Sequence, residues 1–204
     1  MAYIESLLLG FSLAAIPGPI FFEVFRRTLT KGFWSGALLS VGEFLANFSI
    51  LMLTFFGIQS FLLYKPVKLV LFLLGSAILM WIGITAYRIK KEDIEKASKK
   101  SVSKNNSIIV GFGLAIASPL AIAVWISIGG AYLAQYTSKL LSFINIFLLA
   151  FGVMLFFFIL ASVIHFTRHK ISTKYILWFS KIFGIVLSGY GLYFLYQFII
   201  LLMS

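Results

Sequence analysis

Six long runs of apolar residues follow one another along the chain, separated by shorter polar stretches. A helix needs about 20 predominantly apolar residues to cross the hydrocarbon core of a bilayer, and each run reaches that length. The pattern therefore predicts six membrane-spanning helices. They cover approximately residues 3–25, 33–58, 66–87, 108–134, 140–165 and 177–202.

The first run is interrupted in its middle by Pro17, Gly18 and Pro19. Each proline removes a backbone N–H and clashes with the carbonyl group four residues earlier, and the intervening glycine relaxes the backbone further. Broken backbone at membrane depth is tolerated only where it faces protein or a water-filled cavity. We therefore expect a functional break in this helix, although a simple proline kink is the alternative.

A faint internal repeat connects this break with a second one. The stretch Gly10–Ala14 (GFSLA) leads into Pro17. The stretch Gly111–Ala115 (GFGLA) leads into Ser118 and Pro119, at the equivalent place in the fourth run. Because three spans make up each half, the second half is inserted upside down. Inverted repeats with broken helices are typical of secondary transporters, whose breaks meet near the membrane midplane and form the binding site.

The expected fold is an all-α integral membrane protein with helices 1 and 4 broken at proline. A single transporter domain covers residues 1–204, with repeat one at about 1–87, a loop at 88–107 and repeat two at about 108–204. We expect the two breaks to line a substrate site. The candidate substrate-binding residues are Asn47 of the second run and, at the breaks, Pro17, Gly18, Pro19, Ser118 and Pro119.

Composition and charge support a membrane protein and indicate its orientation. The chain is 61% hydrophobic and only 11% charged, too apolar for a soluble domain of this size. Its net charge of +11 does not indicate nucleic-acid binding, because 14 of the 17 Lys and Arg residues follow runs one, three and five. The positive-inside rule places those connections in the cytoplasm and both termini outside.

Two acids well inside the predicted spans are candidates for proton coupling. Glu43 lies near the middle of the second run, one helical turn before Asn47, and a carboxyl group at that depth is by default a functional candidate. The alternative is a glutamate that is protonated or paired for helix packing. Glu23 lies closer to the cytoplasmic end, one turn before Arg26 and Arg27, where proton coupling and a local salt bridge are equally compatible.

Catalytic and metal-binding motifs are absent from the sequence. It contains no Cys, no HExxH, no phosphate-binding glycine loop and no Ser-His-Asp order. His165 and His169 have i, i+4 spacing, but two ligands without a nearby carboxylate or thiolate make a poor metal site. We therefore predict no enzyme activity, no resident metal and no cofactor.

Taken together, the glycine and proline motifs resemble the LysE/RhtB amino-acid exporter family, which is prokaryotic. Pro17–Pro19, followed by Gly32-x-x-x-Gly36 and Gly42, carries the resemblance, and the length and helix number agree over essentially the whole chain. The resemblance implies export of amino acids or similar small metabolites across the plasma membrane. Small-residue faces also allow a homodimer, although no one face is singled out.

The chain departs from that family at three places. Ser118–Leu120 stands where Asn-Pro-Lys is common, Ile20 stands where Asn is frequent, and the family's second-helix acid aligns near Asn47, one turn from Glu43. These departures leave the expected fold unchanged and the substrate open.

The expected mechanism is efflux of an amino acid by proton antiport. The substrate carboxylate would bind free N–H groups at a half-helix N-terminus, and Glu43, helped by Asn47, would take the ammonium group or the coupling proton. The partners are then the substrate, protons and membrane lipids. Two alternatives stay open: export of a divalent metal ion, and a membrane scaffold subunit that transports nothing.

Overall fold

The computed structural model describes residues 2–57, 64–92, 104–135 and 138–203, and every regular element in these ranges is helical. The predicted all-α fold is therefore confirmed. A single 3-10 turn, Arg168–Lys170, joins the last two helices. The helices are α1 (Ala2–Ala14), α2 (Pro19–Lys31), α3 (Phe33–Phe55), α4 (Lys65–Tyr87), α5 (Lys104–Ile116), α6 (Pro119–Gln135), α7 (Lys139–Thr167) and α8 (Thr173–Met203).

Four of these helices, α3, α4, α7 and α8, are long and apolar enough to cross a membrane individually. The pairs α1–α2 and α5–α6 pass the same test only as pairs, because they bend by 76° and 77° at short breaks. Four spans result, or six if each bent pair is one span. Both breaks fall at the predicted prolines.

The local backbone explains the first break. The N–H groups of Ala15 and Ile16 donate to the carbonyls of Ser12 and Leu13, so α1 closes with tight i→i−3 bonds. Gly18 is extended, with φ −144° and ψ −176°, and Pro19 occupies the start of α2. A proline is well placed there, because the first N–H groups of a helix have no intrahelical acceptor.

Three helix boundaries differ from those predicted from the sequence. α2 continues to Lys31 rather than ending near residue 25, and α8 already begins at Thr173. α5 begins at Lys104, inside the predicted loop 88–107, of which residues 93–103 lie outside the described ranges. Counting apolar residues misplaces these ends because charged turns can be helical where the protein itself provides polar partners.

The helices pack in matching pairs. α1 lies against α7, and α5 lies against α3. Gly10 of α1 approaches the carbonyl oxygen of Leu149 in α7 so closely that a Cβ atom would collide with it. Gly111 of α5 approaches the carbonyl oxygen of Leu39 in α3 in the same way. The two glycines occupy the same place in the sequence repeat.

Two buried side-chain contacts join the same two pairs of helices, α1 with α7 and α5 with α3. Ser6 of α1 donates to Asn145 Oδ1 of α7 over 2.7 Å, and the hydroxyl groups of Ser107 in α5 and Ser35 in α3 lie 3.4 Å apart. Ser6 and Ser107 each precede the repeated Gly-Phe by four residues. This recurrence of contacts supports the internal repeat that the sequence indicates.

Candidate functional site

Glu43 and Asn47 form a buried polar pair on α3. Their relative exposures are 6% and 2%, and Asn47 Nδ2 donates to Glu43 Oε1 over 3.4 Å. The second carboxyl oxygen, Oε2, is buried and has no hydrogen-bond partner among the described residues. Leaving such a group unsatisfied is costly, so the unpartnered buried oxygen makes Glu43 a candidate functional residue.

Gly42, which precedes Glu43, shows which helix lies close to this part of α3. A Cβ atom on Gly42 would meet the carbonyl oxygen of Ile108 and, at 2.8 Å, the amide nitrogen of Phe112. Both atoms belong to α5, the first half of the second broken helix. Glu43 therefore follows directly after a close approach between α3 and that broken helix.

The two breaks differ in how their polar backbone groups are satisfied. At the first, the hydroxyl group of Tyr190 in α8 donates to the carbonyl oxygen of Pro17 over 3.4 Å. At the second, Ser118 Oγ accepts the N–H of Ala121 over 3.4 Å and so caps the start of α6, whose first residue is Pro119. Each break thus has a protein partner, as broken backbone in a membrane requires.

Among the described residues, no hydrogen bond joins Glu43 or Asn47 to either break. Asn47 is bonded to Glu43, and Pro17 and Ser118 are bonded to other groups. The structure therefore brings Glu43 and Asn47 together. That this pair and the two breaks form a single substrate site stays a prediction.

Glu23 lies at the centre of a separate ionic cluster in α2. It is completely buried; Arg26 donates Nε to Oε2 over 2.8 Å and Nη2 to Oε1 over 2.7 Å. Arg27 Nε donates to Oε1 over 2.6 Å. This geometry is that of the local salt bridge, one of the two interpretations that the sequence left open. Proton exchange at Glu23 stays a prediction.

Sequence reasoning missed the burial of the two arginines and their link to another helix. Arg26 and Arg27 are only 4% and 5% exposed, and Arg27 Nη1 donates to Ser107 Oγ of α5 over 3.3 Å. Extending the Gly-Phe repeat backwards by four residues aligns Ser107 with Ser6 and so indicates that Ser107 belongs to the fourth helix, but no pattern in the sequence indicates its contact with Arg27.

The described residues contain no group of three or more His, Cys, Asp or Glu side chains that could hold a metal ion. Two tryptophans within the predicted spans 66–87 and 108–134 have different environments. Trp125 is packed in the core, whereas Trp81 is 62% exposed.

Comparison with known proteins gives a consistent family assignment. Residues 11–198 match the family model of LysE type translocators. The chain is 26% identical over 200 residues to a Bacillus subtilis (strain 168) protein named "Putative amino acid efflux protein YcgF", covering 96% of this chain and 95% of that protein. It is 27% identical over 129 residues to the "Chemotactic transduction protein ChpE" of Pseudomonas aeruginosa, covering 63% and 64%. No solved structure shows significant similarity to the chain.

Proposed function

Because this chain belongs to the family of LysE type translocators, we propose that it exports amino acids or similar small metabolites across a prokaryotic plasma membrane by proton antiport. Family membership makes it a multi-pass membrane transporter. The amino-acid class is supported by the name of the B. subtilis relative, which matches along almost the whole length of both chains.

The observation that carries the proton-coupling proposal is the buried Oε2 of Glu43, which has no partner among the described residues. Asn47 provides one donor to this carboxyl group and leaves the other oxygen available. A carboxyl group in this environment exchanges its proton for a cationic group when substrate enters. Proton binding and substrate binding at Glu43 therefore exclude each other, which is the requirement for antiport.

The proposed substrate site lies between the two breaks. The N-termini of α2 and α6 carry partial positive charge, which suits a substrate carboxylate. Pro17, Gly18 and Pro19 shape the first half of this site, and Ser118 and Pro119 shape the second. The two halves of the chain, residues 1–87 and 108–204, rock about the site during alternating access.

We test the proposal by substrate-driven proton movement in proteoliposomes with a pH-sensitive dye inside. A panel of L-amino acids and divalent cations is added to wild-type protein under a pH gradient. Dissipation by one amino-acid class is expected, and Glu43→Gln should abolish it. Glu5→Gln is the matched control, because Glu5 is an exposed acid near the start of α1.

The outcomes separate the alternatives. A response to metal ions alone would replace the amino acid with a cation as substrate. Equal dissipation by wild type and Glu43→Gln would remove Glu43 from the coupling mechanism. Silence across the panel from folded protein would contradict amino-acid/proton antiport and favour the scaffold alternative.

A further inference from the structure

A cavity of about 620 Å³ lies between α2, the end of α4 and the start of α5. Four cationic side chains line it: Arg26, Arg27, Lys31 and Arg88. None of its described lining residues is acidic. The proposed transport mechanism assigns no role to this cavity.

The electrostatics of the cavity favour an anion. Among the described residues, Glu23 is the one carboxylate that forms salt bridges with these cations, so the described groups around the cavity have an excess of three formal positive charges. Arg26 and Arg27 are nearly buried, and like charges repel more strongly where water is excluded. A bound oxyanion would relieve this repulsion.

The donors that such an anion needs are already in place. Glu23 engages Nε and Nη2 of Arg26 but only Nε of Arg27, and Ser107 accepts from Nη1 of Arg27. The other N–H groups of these guanidiniums donate to no described residue. A guanidinium presents five N–H donors, so several are available at the cavity. Thr85 and Asn106, which also line it, add neutral polar groups.

One side of the cavity faces the surroundings of the helix bundle through apolar side chains. Trp81 and Ile84 line it and are 62% and 42% exposed. Both belong to α4, which is long and apolar enough to span a membrane. A ligand in this cavity would have its charged group against the four cationic side chains and its apolar chains along the outside of α4.

We propose that this cavity is a binding site for a phosphate group, carried by the headgroup of an anionic membrane lipid. Basic pockets between membrane helices are suited to such headgroups. Arginine supplies bidentate hydrogen bonds to phosphate oxygens, and lysine adds a point charge. A soluble phosphate has the same chemistry but gains nothing from the apolar side of the cavity.

The test uses the full chain, purified in detergent and freed of lipid. Native mass spectrometry measures binding of phosphatidylglycerol and of phosphatidylcholine with identical acyl chains, and calorimetry measures binding of inorganic phosphate. Lys31→Gln and Arg88→Gln remove cations at exposed positions, outside the Glu23 cluster. Lys174→Gln and Lys181→Gln are matched controls, because they line another cavity that also contains a tryptophan, Trp178.

Wild-type protein should prefer phosphatidylglycerol, and each cavity variant should weaken its binding by about tenfold. The control variants should keep wild-type affinity. If inorganic phosphate binds as tightly as the lipid and its binding is lost in the same variants, the cavity is a phosphate site whose ligand is a soluble phosphate instead of a lipid. Equal binding of both lipids without phosphate binding, or an unchanged preference in both cavity variants, would overturn the proposal. The assay contains no transport step, so its failure leaves antiport untouched.

Discussion

Glu23 is the counter-ion of two buried arginine side chains, Arg26 and Arg27. A buried charge that loses its partner is strongly destabilising, because the remaining charge has neither water nor a counter-ion. Arg26 and Arg27 both depend on this carboxylate, and Arg27 also reaches Ser107 of α5. The cluster therefore connects the first broken helix to the second.

Glu23→Gln should lower the free energy of unfolding by about 3 kcal/mol, because it leaves two buried cations uncompensated. Thermal unfolding of the detergent-purified protein measures the effect. Glu5→Gln removes an exposed carboxylate and should leave the unfolding temperature unchanged. Wild-type stability of Glu23→Gln would show that the ion pairs contribute little to the fold.

The sequence predicted the pairing of Glu43 with Asn47, because residues four apart lie on the same face of a helix. Their hydrogen bond agrees with that prediction. The burial of Arg26 and Arg27 could not be predicted in the same way. Arg27, for example, contacts Ser107, which is 80 residues away in the chain and is brought near only by the fold.

At the scale of the helices, the sequence located both breaks, since proline acts locally on the backbone. It did not locate the ends of α2 and α5. The polar turn Arg26–Lys31 is helical, and Glu23 of the same helix accepts hydrogen bonds from its two arginines. The first turn of α5 places Ser107 beside Ser35 of α3, a contact that comes from tertiary structure and leaves no trace in the apolar runs.

Gly10→Ala and Gly111→Ala should each destabilise the protein by about 1–3 kcal/mol, the usual cost of overpacking. In both, the new methyl group would collide with a backbone carbonyl of the facing helix, which cannot move without separating the pair. Gly189→Ala in α8 is the control, because nothing lies within 4 Å of its Cβ position. Wild-type unfolding temperatures for both variants would contradict the close packing.

Gly18→Ala should be tolerated, although the sequence suggested that a glycine relaxes this break. Its φ of −144° is open to any residue, and no atom lies within 4 Å of a Cβ atom built there. We expect a change in unfolding free energy within about 0.5 kcal/mol. A large loss of stability in thermal unfolding would mean that the break needs glycine for its conformation.

At the scale of the whole molecule, matched contacts relate the two halves. A Cβ atom on Gly83 of α4 would meet the carbonyl of Gly184 in α8, and one on Gly184 would meet the carbonyl of Gly83, each at 2.7 Å. The repeated Gly-Phe motif is weak by itself, and the proline that follows it in each half is what leads to the prediction of this relation. The substrate could not be predicted, because it depends on a few polar contacts that a fold shared by a family does not determine.

The proposed orientation predicts opposite labelling of two exposed lysine positions in intact cells. The chain has no cysteine, so Lys65→Cys and Lys174→Cys each introduce a single thiol. A membrane-impermeant maleimide should label Lys65→Cys from outside and label Lys174→Cys only after permeabilisation, because basic connections stay in the cytoplasm. The reverse pattern would invert the topology.

The central claim is that Glu43 couples substrate movement to protons, and one pair of transport assays on Glu43→Gln tests it most directly. Proteoliposomes are loaded with the amino acid that dissipates the gradient in wild type, and efflux is followed under a pH gradient and under exchange without a gradient. In folded Glu43→Gln protein we predict loss of both activities, because an amide releases no proton and forms no ion pair with a substrate cation. Wild-type gradient-driven efflux would contradict coupling through Glu43, and retained substrate exchange would place the substrate cation at another residue.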